Sequence, residues 1–429
     1  MEIIKYPSRD KWQELSQRAL ADKALEVKAI VADIIANVAN RGDEAIKEYE
    51  QRFTGATLDT LAVSDEEIAE AKNLVSADLK EAIETARKNI EAFHKAQATE
   101  VEVTTAPGVR CIQRQVPITK VGLYVPGGNS PLFSTVLMLA VPAVIAGCEE
   151  IILCTPARKD GKVHPAILYA ASEAGVNKIF KTGGAQAIAA MAYGTETIPG
   201  VYKIFGPGNR FVTEAKRQVS EGNVAIDMPA GPSEVLVIAD ENANAAFVAS
   251  DFLSQAEHGP DSQSILVTAS EKLLEQLPIE IDRLLGVLPR REMMEKSLSH
   301  SRMILLNDDD EVMEFSNCYA PEHLIINHHN AWELAAKVKN AGSVFVGPYS
   351  PESAGDYASG TNHTLPTSGY ARTYSGVNLD SFTKKITFQE LTPQGIASIG
   401  RAVEVMAENE DLHAHKMAMT LRINSLEQK

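Results

Sequence analysis

Residues 121–130 read Val121-Gly122-Leu123-Tyr124-Val125-Pro126-Gly127-Gly128-Asn129-Ser130, a short apolar run stopped by a proline and two glycines. Such a run predicts a buried strand ending in a tight turn, and the apolar stretch that follows, 131–147, predicts a helix. The unit recurs. Further candidate strands lie at 150–154, 178–181, 202–205, 234–239, 264–268, 303–306, 324–326 and 343–346, separated by helix-length segments. Strand–helix alternation of this kind specifies an α/β fold with parallel sheets covered by helices on both faces. Nine strands are too many for one tidy nucleotide-binding half, and Met228-Pro229-Ala230-Gly231-Pro232 breaks the series into two sheet domains.

Upstream the period changes. Val27, Ile30, Val31, Ile34, Ile35 and Val38 fall on one face of a helix, which Gly42 ends. Ser64-Asp65-Glu66-Glu67 reads as a capping box, and Ile83, Ala86, Ile90 and Phe93 mark another amphipathic helix. Between 100 and 121 the period is two, which predicts antiparallel strands. At the other end, Thr392-Pro393 starts a helix with proline in its first turn, carrying a narrow stripe of Ile396, Ile399, Val403 and Met406. So narrow a stripe offers little core, so this tail must dock elsewhere or on a partner chain.

The chain has 429 residues, enough for two or three domains with substantial cores. Its 57 acidic and 41 basic side chains leave a charge of -16, a field that repels nucleic acid and anionic membranes and favours a small polar substrate. The start of the chain has no basic region followed by an apolar one, so no secretory signal is read there. The stretch 131–147 falls short of the ~20 apolar residues of a membrane span. Four cysteines without a CxxC pair support neither disulfides nor a Cys-rich zinc site, and fit a reducing cytoplasm. Cys148 and Cys154 sit in apolar sequence and read as core residues.

Three groups of residues could carry chemistry. Glycine-bearing turns follow the strands at Tyr124, at Lys181-Thr182-Gly183-Gly184-Ala185-Gln186 and at Phe205-Gly206-Pro207-Gly208-Asn209. Ligands of parallel sheets bind at such strand ends, so the three could line one cofactor crevice; singly, each could merely turn the chain. GxGxxG is absent, which does not support a standard dinucleotide fingerprint. Gln255 and His258 stand one helical turn apart, and with Asp356 and His415 would make an acceptable N and O donor set for zinc, although a histidine at a helix end more often caps carbonyls. HExxH is absent, which weakens a zinc protease reading. Glu322 and His323 place a carboxylate beside an imidazole, suited to two separate proton transfers or to a plain surface loop. His328, His329 and His413 read as solvated loop residues.

Taken in order, Gly122-Leu123-Tyr124-Val125-Pro126-Gly127-Gly128, Phe205-Gly206-Pro207-Gly208-Asn209, Asp227-Met228-Pro229-Ala230-Gly231-Pro232-Ser233-Glu234, Ser254-Gln255-Ala256-Glu257-His258-Gly259, Ala320-Pro321-Glu322-His323-Leu324 and Gly355-Asp356-Tyr357-Ala358-Ser359-Gly360-Thr361-Asn362-His363 resemble the histidinol dehydrogenase family over essentially the whole chain. The resemblance implies a cytoplasmic homodimer with shared active sites that oxidises L-histidinol through L-histidinal to L-histidine with two NAD, the last steps of histidine biosynthesis. It implies two incomplete Rossmann-like domains: 20–119 with 233–376 as the first, 120–232 as the second, NAD-binding one, with arms at 1–19 and 377–429, the latter for dimerisation. Zinc would be held by Gln255, His258, Asp356 and His415 of the other subunit, anchoring the substrate rather than activating its alcohol oxygen. His323 would be the general base of both oxidations and Glu322 would activate the water that attacks the aldehyde. Tyr124, Gln186 and Asn209 match NAD-contacting positions. Ser233, Glu410 and His363 match substrate-contacting positions, alongside the zinc ligands and the catalytic pair. A dehydrogenase of the same scaffold acting on another polar alcohol is the alternative this reading leaves, and a zinc hydrolase or an idle scaffold would be different classes altogether.

Overall fold

The computed structural model describes residues 1–18, 24–127, 130–229 and 231–427. Strand β1 (Glu2–Lys5) comes first, followed by the antiparallel pair β2 (Glu100–Ala106) and β3 (Val109–Pro117). Strands β4 (Lys120–Tyr124), β5 (Glu150–Thr155), β6 (Lys178–Lys181), β7 (Lys203–Phe205) and β8 (Ala225–Ile226) form a parallel sheet in the order β6-β5-β4-β7-β8. Strands β9 (Glu234–Ala239), β10 (Gln263–Thr268), β11 (Arg302–Leu305), β12 (His323–Asn327) and β13 (Ser343–Val346) form a second, in which β1 is the far edge: β1-β11-β10-β9-β12-β13. Strand β14 (Thr383–Leu391) completes a small antiparallel sheet against β3. The α/β reading and all nine candidate strands are thus present, with the two sheets parting around 228–232.

Strands β1, β8 and β14 were not expected. Almost every residue of β1 and β14 is exposed, and the alternation in β14 is limited to Ile386 and Phe388; ladders of main-chain bonds hold both strands. Residues 2–5, expected in an arm, are therefore part of a sheet.

Glycine 42 does break the first long helix, Ala24–Thr54, with φ at +54°. Val27, Val31, Ile34, Ile35 and Val38 are buried on its inner face, but Ile30 stands at the edge of that stripe and is exposed. In the helix Ala77–Lys95 the stripe likewise turns past Phe93, which is exposed, and buries His94, whose Nδ1 bonds the Ile90 carbonyl at 2.8 Å. The capping box at Ser64 is formed. These helices pack on the five-stranded sheet: Ile83 and Ile90 join a core with Val121 and Leu123, and Val31 and Ile46 join one with Ile152 and Ile188. The apolar stripes of 24–95 thus find partners on β4, β5 and the helices beside them, while contact with the other side includes the polar bond from Asn89 to the Ala358 carbonyl, 2.8 Å.

At the C-terminus Thr392 caps the helix Pro393–Asn409, which packs on the helix His413–Glu427 with Gly400 facing Ile423. Ile396 is buried, but Met406 stays 65% exposed, and Leu412, Met417 and Leu421 are also exposed, so much of the apolar surface of this tail is uncovered within one chain. Among the described residues, no helix is long and apolar enough to cross a membrane.

Candidate active site

Chain direction fixes where functional groups gather. The turns after β4, β6 and β7 leave the carboxyl edge of the five-stranded sheet and touch one another there. A Cβ added to Gly127 or to Gly183 would meet the ring of Pro156, at 2.1 and 2.7 Å, so both turns clasp one proline. Gly206, at φ +129°, lies so close to the main chain of Tyr124 that a Cβ would come within 2.0 Å of its carbonyl oxygen. The Tyr124 hydroxyl accepts the Gly184 N–H at 3.1 Å, and burial pushes that phenol up to about 12. Gln186 is buried in the first turn of the helix Gly184–Tyr193. Asn209 caps the helix Arg210–Val219 by accepting from Phe211 and Val212 N–H. Beneath, buried Lys216 donates to the Gly206 carbonyl at 2.9 Å and pairs with Asp227, which in turn accepts the Gly206 N–H at 2.8 Å. Tyr124, Gln186 and Asn209 are therefore brought to one rigid edge.

A second group forms at the amino edge of the six-stranded sheet. The helix Ala245–Ala256 returns antiparallel after β9, which carries Gln255 and His258 back to this edge. His323 opens β12, and the short helix Glu352–Tyr357 adds Glu352 and Asp356. Donor atoms of His258, Glu352 and Asp356 all lie within 4.8 Å of one another. His323 Nε2 is 3.6 Å from Asp356, and its Nδ1 is 3.7 Å from both Glu322 and Glu352. Nδ1 also faces the Glu234 carbonyl at 3.3 Å; a carbonyl only accepts, so Nδ1 keeps its proton and Nε2 is the atom that exchanges one. Burial opposes charge on His323, but Glu352, Glu322 and Asp356 outweigh it and hold the imidazole well above its ordinary value. Burial pushes the Glu322 and Glu352 carboxyls up to about 8. Burial acts on Asp356 the same way, yet His323 beside it holds its carboxyl below the usual range.

Several polar atoms here have no partner. Both side-chain atoms of Gln255, both oxygens of Glu352 and His323 Nε2 are buried and unbonded. Buried polar groups in folded proteins are nearly always paired, so a concentration of orphans beside a His, Glu and Asp donor set fits a bound cation. His363 joins the same edge: its Nδ1–H donates to the Asp356 carbonyl at 2.9 Å, so its Nε2 accepts from the Thr135 hydroxyl at 3.0 Å, on the helix that follows β4. That bond ties the two sheets together at the site. Ser233 lies next to Glu234, lining a small cleft with Arg18, Asp261 and Gln263. Glu410 and His415 are exposed on the C-terminal tail and are not brought to this group within one chain.

His328 departs from the solvated reading, whereas the His329 side chain is exposed as that reading expects. His328 is buried, and Asp240 accepts from His329 Nδ1 at 2.5 Å and from the His329 main chain at 2.9 Å. The Asn330 N–H donates to His328 Nδ1, which places the proton on Nε2, 3.3 Å from Asp309. This second donor group is thus satisfied by its own hydrogen bonds. Cys154 is buried and Cys148 partly so, with burial raising both thiols, which agrees with their core reading.

The histidinol dehydrogenase family profile matches residues 16–423. The chain belongs to the histidinol dehydrogenase family. It is similar to the histidinol dehydrogenase of Bacteroides fragilis, 60% identical over 431 residues that cover 99% of this chain and 100% of the relative. It is also similar to the histidinol dehydrogenase of Escherichia coli strain K12, 53% identical over 420 residues covering 97% and 96%. The crystal structure of histidinol dehydrogenase from Elizabethkingia anophelis superposes with a TM-score of 0.96 at 50% identity, covering 100% of this chain and 99% of that one. Histidinol dehydrogenase family membership makes the protein an NAD-dependent oxidoreductase of histidine biosynthesis.

Three neighbours of the site escaped the sequence reading. Glu352 follows Pro351 in the first turn of a helix, where an acidic residue is expected to face solvent and the helix dipole; nothing nearby marks it as buried. Glu234 begins an apolar strand, and its N–H donates to Glu322 at 2.9 Å while its carboxylate takes a two-pronged bond from Arg18, at 2.8 and 2.5 Å. Glu50 lies near the end of the helix Ala24–Thr54 among charged residues, and the one signal of its burial is its place one turn after Ile46 on the apolar stripe.

Proposed function

We propose that this protein oxidises L-histidinol through L-histidinal to L-histidine, using two NAD in succession. The observation that carries the reading is the orphaned donor set around Gln255, beside an imidazole whose Nε2 is free to exchange a proton. A zinc ion held by Gln255, His258, Asp356 and the partner subunit's His415 suits these donors and would supply an anchor for the substrate's imidazole and amine. Ser233, His363 and Glu410 complete the substrate's surroundings.

In the first step His323 Nε2 takes the proton of the carbinol oxygen as the aldehyde forms, and NAD at the glycine turns would accept the hydride of the carbinol carbon. Asp356 is one of the three carboxylates that hold a proton on His323, and a cation held by Asp356 would compete with the imidazole for that carboxylate and favour the neutral ring as base. In the second step Glu322 takes a proton from water as its oxygen bonds the aldehyde carbon. A carboxyl raised by burial is matched to that task near neutral pH. His323, once it has returned its first proton to solvent, takes the proton that the hydrate anion must lose as it becomes the carboxylate, the second hydride being one that a fresh NAD would accept. Tyr124, Gln186 and Asn209 would hold each NAD at the glycine turns, so that 120–232 is the cofactor side.

The exposed Leu412, Met417 and Leu421 support a dimer in which the arm 377–429 reaches a second subunit and delivers Glu410 and His415 to its site. Four cysteines and no disulfide support a cytoplasmic setting. The test is to count products: complete oxidation gives two NADH for each L-histidinol consumed, and one NADH or none refutes the reading.

A further inference from the structure

Glu50 is fully buried, yet the reaction as described does not use it. It projects from the helix Ala24–Thr54 into the turn after β6, where its Oε1 accepts three bonds: from the Thr182 hydroxyl at 3.1 Å, from Gly183 N–H at 2.9 Å and from the Gln186 side-chain amide at 2.9 Å. The next main-chain amide, Gly184 N–H, is taken by the Tyr124 hydroxyl. Two side chains thus hold two consecutive amides of one cofactor turn.

The bond to Gln186 has a directional consequence. An amide group can turn either end outward, but Glu50 Oε1 only accepts here, so Gln186 must present its NH2 to it; the reverse orientation would set oxygen against oxygen. The Gln186 carbonyl oxygen is left buried and without a partner. We propose that Glu50 is a positioning residue for NAD: it fixes the Gln186 amide with its oxygen free, so that this position recognises a hydrogen-bond donor on the cofactor, such as a ribose hydroxyl. A phosphate oxygen, which only accepts, is disfavoured at the same point. The inference rests on the proposal that Gln186 contacts NAD.

The substitution Glu50→Gln keeps the shape and an acceptor oxygen but adds an NH2 that can donate to Gln186, so the Gln186 amide is free to turn. The experiment measures the Kd of NAD by titration calorimetry on the zinc-loaded dimer for the wild type, Glu50→Gln, Gln186→Ala and the double variant, with thermal melting of each. Expected are melting temperatures close to wild type for Glu50→Gln, a weakening of NAD binding of about tenfold by either single change, and no further weakening in the double variant, because the Glu50 effect passes through Gln186. If Gln186→Ala weakens NAD binding while Glu50→Gln does not, or if the two effects multiply, the role of Glu50 is overturned. If Gln186→Ala leaves NAD binding unchanged, the contact itself fails, and the role of Glu50 falls with it.

Discussion

The two edges that meet at the site are built on opposite terms. At the carboxyl edge of the five-stranded sheet most polar groups have a partner: Lys216 and Asp227 lock Gly206, Glu50 and Tyr124 lock Gly183 and Gly184, and Asn209 caps its own helix, while Glu50, Thr155 and Gln186 each keep one buried atom without a partner. At the amino edge of the six-stranded sheet, Gln255, Glu352 and His323 carry buried atoms with none. The first edge is held mainly by its own hydrogen bonds. The second gathers its unpaired atoms around one His, Glu and Asp donor set, where each buried group left unbonded costs about 1–3 kcal/mol.

The largest expected effect breaks the second edge at its proton acceptor. His323→Asn should slow oxidation of the alcohol by about 10² to 10⁴-fold, measured as initial NADH formation with saturating L-histidinol, with zinc content unchanged. Glu322→Gln should be smaller and asymmetric: aldehyde oxidation falls by about 10²-fold, while the alcohol step, followed in a single turnover, falls less. Equal losses in both steps would undo the division of labour between the two residues. Third, mixing His415→Ala with His323→Asn subunits should restore activity, because each mixed dimer then holds one intact site, about half of the wild-type pair. No recovery in verified mixed dimers would place the tail outside the neighbouring site.

The smallest effect concerns charge at the second edge. Burial pushes Glu322 and Glu352 up to about 8 and Asp251 to about 7, whereas in the unfolded chain such groups titrate near ~4. The folded, metal-free protein therefore holds more protons than the unfolded chain between those values, so its stability falls as pH rises. His94, His164, His258 and His363 are shifted down and act only below the ordinary histidine range. Melting of the chelated protein should accordingly drop as the pH rises from about 7 to about 8, and zinc should narrow the difference. A flat profile would mean that these carboxyls are already ionised without the metal.

The same contrast governs what the chain spelled out. Strands β4 to β7 and β9 to β13 are apolar runs punctuated by glycine and proline, and the nine were readable because burial on both faces leaves a continuous apolar signature. The glycine turns could be found, and the close approaches of Gly127, Gly183 and Gly206 explain why no larger residue stands there. Strands β1 and β14 were hidden because an edge held by main-chain bonds needs no apolar face. Where 24–95 would dock was also hidden, since an amphipathic stripe names the face but not its partner. At the site, Gln255, His258, Glu322, His323 and Asp356 were legible through motifs, but Glu50, Glu234 and Glu352 were not. A buried carboxylate in a helix or at a strand start looks the same in sequence as an exposed one, because what buries it arrives from far along the chain.

The most direct test is anomalous diffraction at the zinc absorption edge from crystals of the zinc-loaded dimer. A single strong peak per subunit among Gln255, His258 and Asp356, with the partner subunit's His415 completing the set, is the predicted result. A peak at Asp240, His328 and His329 instead, or none between Gln255 and Asp356, would contradict the account.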